Sequence, residues 1–119
     1  MPMREELIAA ARGEIEVDLL LSGGQLANVL SGEVYRADVA IHRSRIVGFE
    51  CSSARDVLEL EGQVVAPGFI DGHVHIESSM VTVPEYARAV VPRGTTTVVA
   101  DPHELANVWG QAGIRYILD

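Results

Sequence analysis

The chain opens with a stretch whose polar and apolar positions favour a helix. Residues 4–12 (REELIAAAR) put acids in the first turn and Ala and Leu after them, and Gly13 stops the run. From Glu16 the texture changes. Val17–Leu21 is a short apolar run closed by Ser22-Gly23-Gly24, the pattern of a strand and a turn. Gln25–Leu30 follows, then Val34–His42, where Val34, Arg36, Asp38, Ala40 and His42 alternate with Tyr35, Ala37, Val39 and Ile41. Arg45–Glu50, Val57–Leu60 and Val64–Ala66 are further short β-rich runs. Short strands this close together predict an antiparallel meander, so residues 1–66 read as a helix plus a small, sandwich-like β-rich layer.

Pro67-Gly68 punctuates the chain, and residues 67–119 have another rhythm. Phe69–His75 is apolar and β-prone; Thr82-Val83-Pro84-Glu85 is the start of a helix that continues through Tyr86–Val91 and ends at Pro92-Arg93-Gly94. Thr95–Ala100 (TTTVVA) is β-branched enough for a buried strand. Helical character returns over His103–Gly110 and Gln111–Leu118. Strand, helix, strand, helix is the βαβ pattern of a parallel sheet, so the fold class is α/β.

Length and charge narrow the field. A chain of 119 residues, 48% hydrophobic and 22% charged, can bury a core. It is too short for a complete (β/α)₈ barrel, which needs about 250 residues. Nine basic residues, all Arg, stand against 17 acids, a net charge of −8. That balance argues against nucleic acid and against an anionic membrane surface, both of which call for a basic face. Cys51, the one cysteine, can form neither an internal disulfide nor a cysteine-rich zinc site, and reads as a structural thiol in a reducing compartment. No apolar run approaches a membrane span, and the acidic N-terminus lacks a signal peptide's apolar stretch; the expected location is cytoplasmic.

The chemistry concentrates in Phe69-Ile70-Asp71-Gly72-His73-Val74-His75. On a strand, residues i and i+2 share a face, so His73 and His75 point together and can hold one metal ion from one side. The C-terminal end of a parallel barrel strand is where such sites sit. Asp71 is either a carboxylate that supports the metal ligands or simple turn chemistry in Asp-Gly. Glu77 continues on the ligand face if the strand persists, as a substrate contact or a solvated loop acid. Ser78 and Ser79 read better as caps than as ligand contacts. Asp101-Pro102-His103-Glu104 leaves the Thr95–Ala100 strand. As a helix start, Asp101 caps and Pro102 takes the first helical position, which leaves His103 unexplained. His42 reads as a surface or packed histidine, and Trp109 as packing. Two near-misses fail: His75-Ile76-Glu77 lacks the P-C-x-x-C half of the zinc nucleobase deaminases, and His103-Glu104-Leu105-Ala106-Asn107 has Asn where a zinc-protease helix needs its second His.

Pro67-Gly68-Phe69-Ile70-Asp71-Gly72-His73-Val74-His75 resembles the first barrel strand of the amidohydrolase superfamily. The stretches His73–Met80, Pro92–Val98 and Asp101–Val108 are similar to its adenine deaminase family, a resemblance that runs over essentially the whole chain. It implies the first βα units of a TIM-like (β/α)₈ barrel behind the β-rich layer, and hydrolysis of adenine to hypoxanthine and ammonia. It further implies a divalent metal pair, Mn²⁺ or Fe²⁺ with Zn²⁺ as the alternative, for which His73 and His75 match the first two ligands. The remaining ligands would come from strands beyond Asp119. On the same basis Asp101 and His103 are candidates for proton transfer, Glu77 for substrate contact, and the longer form for a homodimer acting on a small molecule. Two rival readings stand: another amidohydrolase acting on a cyclic amide, of dihydroorotase or hydantoinase type, and a non-catalytic module with a partial metal site.

Overall fold

A computed structural model describes residues 3–50 and 53–118; Cys51 lies outside the described residues. The chain divides between Pro67 and Gly68 into two compact units.

The first unit begins with helix α1 (Met3–Ala11). Seven short strands follow: β1 (Val17–Ser22), β2 (Gln25–Asn28), β3 (Glu33–Arg36), β4 (Val39–His42), β5 (Arg45–Gly48), β6 (Ala54–Glu59) and β7 (Val64–Val65). They form two sheets rather than one meander. One has the order β5-β4-β1-β6, the other β3-β2-β7. Hairpins supply the antiparallel pairs β2–β3 and β4–β5, the latter closed by Arg43 and Ser44 at φ 51° and 59°, the left-handed pair that suits a two-residue hairpin. β6 and β7 instead return parallel to β1 and β2. Strand proximity in sequence favours hairpins, but these two late strands pair with the strands that opened the unit.

The single alternating run expected over Val34–His42 is also broken. Asp38, which ends it, accepts a hydrogen bond from the backbone N–H of Gly23 at 2.9 Å, and the chain passes from one sheet to the other there. A polar bond across 15 residues thus interrupts the period-two pattern.

The core gathers where α1 meets the first sheet. Ala10, Val17 and Ala40 are buried together, with Ile15, Leu20, Val47 and Ala54 packed around them. His42 is buried beside this core, at 6% exposure. Its Nε2 lies 3.1 Å from Glu6 Oε1 of α1, and its Nδ1 lies 3.4 Å from Asp18 Oδ2 of β1. Arg43 pairs with Glu6 as well, and its backbone N–H donates to Asp18 at 2.8 Å, while Arg55 pairs with the other oxygen of Asp18. The histidine read as surface or packed is therefore packed, and it fastens α1 to the sheet.

The second unit holds β8 (Phe69–Val74), a 3-10 turn over Glu77–Ser79, α2 (Val83–Val90), a second 3-10 turn over Val91–Arg93, β9 (Thr95–Ala100), α3 (His103–Trp109) and α4 (Gln111–Leu118). β8 and β9 pair in parallel around the α2 crossover, the expected βαβ unit. Gly94 at φ 100° ends the helical segment and turns the chain into β9. Gly68 permits another close approach, since a Cβ there would run into the Thr96 side chain. Thr95–Ala100 is only partly covered, and β8 leaves Phe69 and Ile70 exposed.

Candidate metal centre

The parallel pairing of β8 with β9 brings both strand ends to one place. Val74 lies opposite Ala100, and the backbone N–H of Asp101 donates to the Val74 carbonyl at 3.0 Å. His73 sits near the end of β8 and His75 one residue beyond it. Their Nε2 atoms converge to 3.0 Å, with the rings edge-to-face at 81°. The alternation of a strand brings the two rings to one side, and the shift in register between Asp71 and Val74 lets the backbone bend as it leaves the sheet.

The hydrogen bonds fix which ring atoms carry protons. His75 Nδ1 lies 2.8 Å from the Asp101 carbonyl oxygen, which only accepts, so His75 carries its proton on Nδ1 and leaves Nε2 bare. His73 Nε2 then donates to His75 Nε2. Nothing in the residue pattern signals that the Asp101 backbone orients a histidine 26 residues upstream; strand pairing creates that contact.

Asp101 has a second task. Donor atoms of His73, His75 and Asp101 all lie within 4.8 Å of one another, a group able to hold a cation among the described residues. Two imidazoles and a carboxylate fit a first-row divalent metal of the Mn, Fe or Zn kind, and none of the three is fully buried. Asp101 is therefore a candidate third donor, a part its place in the sequence did not suggest.

His103 joins the group from α3. Its ring packs edge-to-face on His75 at 4.7 Å between centroids, and its Nδ1 lies 3.2 Å from Asp101 Oδ2. The capping alternative for Asp101 does not form. The helix is capped by Pro102 without a side-chain bond, and the Asp101 carboxylate turns to His103 instead.

The neighbouring polar residues divide between the two strand ends. Asp71 Oδ1 accepts from the backbone N–H of His73 at 3.2 Å, an Asx-turn bond that bends the backbone into the site. Glu77 Oε1 accepts from the backbone N–H of Glu104 at 3.2 Å, and its Oε2 is buried without a hydrogen-bond partner among the described residues. One oxygen of its carboxylate is thus engaged by α3. Ser78 Oγ donates to Glu104 Oε1 at 2.6 Å, and Ser79 Oγ to the Ile76 carbonyl at 2.5 Å. Glu104 went unnoticed in the sequence beyond its place at a helix start. Trp109, expected to pack, is 61% exposed and lies beside Tyr116 at 6.1 Å between ring centroids.

Residues 64–119 match the model of the amidohydrolase family. An adenine deaminase from Methanothrix thermoacetophila is 64% identical over 96% of this chain, and one from Kosmotoga olearia 52% identical over 95%. The chain spans about a fifth of the length of these relatives, 20% of each. Among solved structures, an N-acyl-D-glutamate deacylase from Bordetella bronchiseptica, complexed with zinc and a phosphonate inhibitor, superimposes with a TM-score of 0.58 at 32% identity. The overlap covers 72% of this chain and 19% of that one. A D-aminoacylase variant in complex with copper chloride gives the same score and identity over 71% and 18%.

Proposed function

We propose that this chain, whose residues 64–119 belong to the amidohydrolase family, forms the first metal-binding strand pair of an adenine deaminase. The reaction is adenine plus water giving hypoxanthine and ammonia. What carries the reading is the convergence of His73 and His75 at 3.0 Å, with His75 Nδ1 committed to the Asp101 carbonyl. Similarity to adenine deaminases over nearly the whole chain supports the choice of substrate.

In this reading His73 and His75 bind a divalent metal from one side and Asp101 adds an oxygen donor. When bound there, a divalent ion, Mn²⁺ or Fe²⁺ with Zn²⁺ as the alternative, would lower the pKa of a water and so make it a nucleophile at neutral pH. The chain's own residues handle the proton. The Asp101–His103 pair, 3.2 Å apart at the same mouth, takes a proton released by the attacking water and returns it to the departing amine. Residues 1–66 form a β-rich unit and residues 67–119 begin the catalytic barrel. No helix among the described residues is long and apolar enough to cross a membrane, and a cytoplasmic place with a small-molecule substrate accords with the acidic balance.

The test replaces the corresponding stretch of a full-length relative with this chain and follows adenine and hypoxanthine by chromatography. Deamination that disappears when His73 or His75 becomes Ala, together with bound metal, supports the proposal. A properly loaded hybrid that hydrolyses cyclic amides or N-acyl amino acids and leaves adenine untouched would refute the substrate assignment.

A further inference from the structure

We propose that Glu77 and Ser78 are positioning residues, which brace the start of α3 and so hold the Asp101 carbonyl against His75 Nδ1. The proposal rests on the reading of His75 as a metal ligand only in its consequence for affinity; the brace itself is a matter of hydrogen bonds.

Helix α3 begins poorly served. Its cap residue, Pro102, makes no side-chain bond to the first turn, whose N–H groups would otherwise have no partner. The carboxylate of Glu77 reaches one of these from 27 residues away, accepting from the N–H of Glu104 at 3.2 Å. Ser78, beside it on the same 3-10 turn, donates to the side chain of that same Glu104 at 2.6 Å. One turn after β8 thus grips one residue of α3 twice, through main chain and side chain.

The grip lies three residues from the atom that matters. Between Asp101 and Glu104 stand Pro102, whose ring fixes its own φ, and His103, already helical. Little freedom remains in that segment, so fixing Glu104 restrains the Asp101 carbonyl, whose oxygen receives His75 Nδ1–H at 2.8 Å. That bond decides which ring nitrogen of His75 is bare. Burial supports the assignment: Glu77 Oε2 is enclosed within the protein, which suits a carboxylate held for support better than one reaching for a substrate.

The experiment uses the 119-residue chain and three variants, Glu77→Ala, Ser78→Ala and Glu77→Gln. The glutamine keeps the acceptor oxygen and removes the charge. Ring ¹⁵N spectra of the metal-free chains read the His75 tautomer, amide spectra report the fold, and zinc titration by calorimetry reads affinity. The expected result is a parent His75 protonated on Nδ1, a mixed tautomer in Glu77→Ala and in Ser78→Ala, and zinc binding weakened roughly tenfold in both. Glu77→Gln should stay near the parent. An unchanged tautomer in both alanine variants would overturn the brace. So would a glutamine variant that falls as far as the alanine one, which would make charge the cause. If the tautomer shifts as expected and the parent binds no zinc, the brace stands and the metal reading falls.

Discussion

The separation of the two imidazole nitrogens makes a statement about coordination that can be tested directly. With metal–nitrogen bonds of about 2.05 Å, two donors 3.0 Å apart subtend about 94° at the metal, whereas a tetrahedral angle would set them about 3.3 Å apart. The pair as placed suits adjacent positions of a five- or six-coordinate ion better than two corners of a tetrahedron. Loading the chain with Co²⁺ should therefore give the weak visible bands of a higher-coordinate ion. The metal must also displace a proton, because His73 Nε2 donates to His75 Nε2 in the free chain. Ring ¹⁵N spectra with Zn²⁺ should show the His73 proton moving to Nδ1 while that of His75 stays where the Asp101 carbonyl holds it. Changing either histidine to Ala should weaken binding by ~10²-fold or more, since a lost ligand costs at least as much as a lost supporting bond. An intense tetrahedral cobalt spectrum, or His73 unmoved by metal, would refute the geometry.

Three further outcomes are expected. In a full-length hybrid, Asp101→Asn and His103→Gln should each lower deamination by ~10²-fold with thermal stability near the parent's, because Asp101 does not cap α3; unchanged turnover would return the segment to structure alone. Hydrogen bonds from His42 and Arg43 hold the Glu6 carboxyl below its ordinary range, and the Arg43 backbone N–H does the same for Asp18. Folded values below unfolded ones mean stability present above the ordinary carboxylate pKa and lost as pH falls through the depressed values, so urea midpoints should drop with acid and drop less steeply in Glu6→Gln. Finally, Gly68→Ala should cost about 1–3 kcal/mol of stability through collision with Thr96, recovered in part by adding Thr96→Ala; a silent Gly68→Ala in thermal melts would contradict the packing.

The sequence announced the βαβ unit because its signals are local: β-branched Thr95–Ala100, Pro84 near a helix start and Gly94 at a stop. The same logic failed over residues 16–66, where adjacent short strands read as hairpins. The parallel partners of β1 and β2 arrive more than 30 residues later, and no periodicity encodes that choice. At the site, His73 and His75 were legible as a pair because a strand's period is two. The third donor, Asp101, and the grip of Glu77 on Glu104 were not, since both depend on which strand lies beside which. For Asp101 the sequence left two uses open, a cap for α3 or a partner of His103, because its local chemistry suits both; its carboxylate lies 3.2 Å from His103 Nδ1.

The two units are held by different means, and that difference bears on how the site keeps its shape. The first encloses apolar side chains such as Val17 and Val39, at 1% exposure each. In the second, among the described residues, only Ile76 and Gly113 are buried. Hydrophobic burial is non-directional and here too sparse to fix imidazole rings within tenths of an ångström. What orders His73, His75 and Asp101 is instead a run of directional bonds between the ends of β8 and β9: Asp101 to Val74, His75 to Asp101, Ser78 and Glu77 to Glu104. Bonds exposed to water are individually worth little, and their worth here lies in number and in sharing two short segments. A site built this way is set by strand register first. Any change that slips β8 against β9 by one residue would turn both histidines away from Asp101 together, without altering a single ligand.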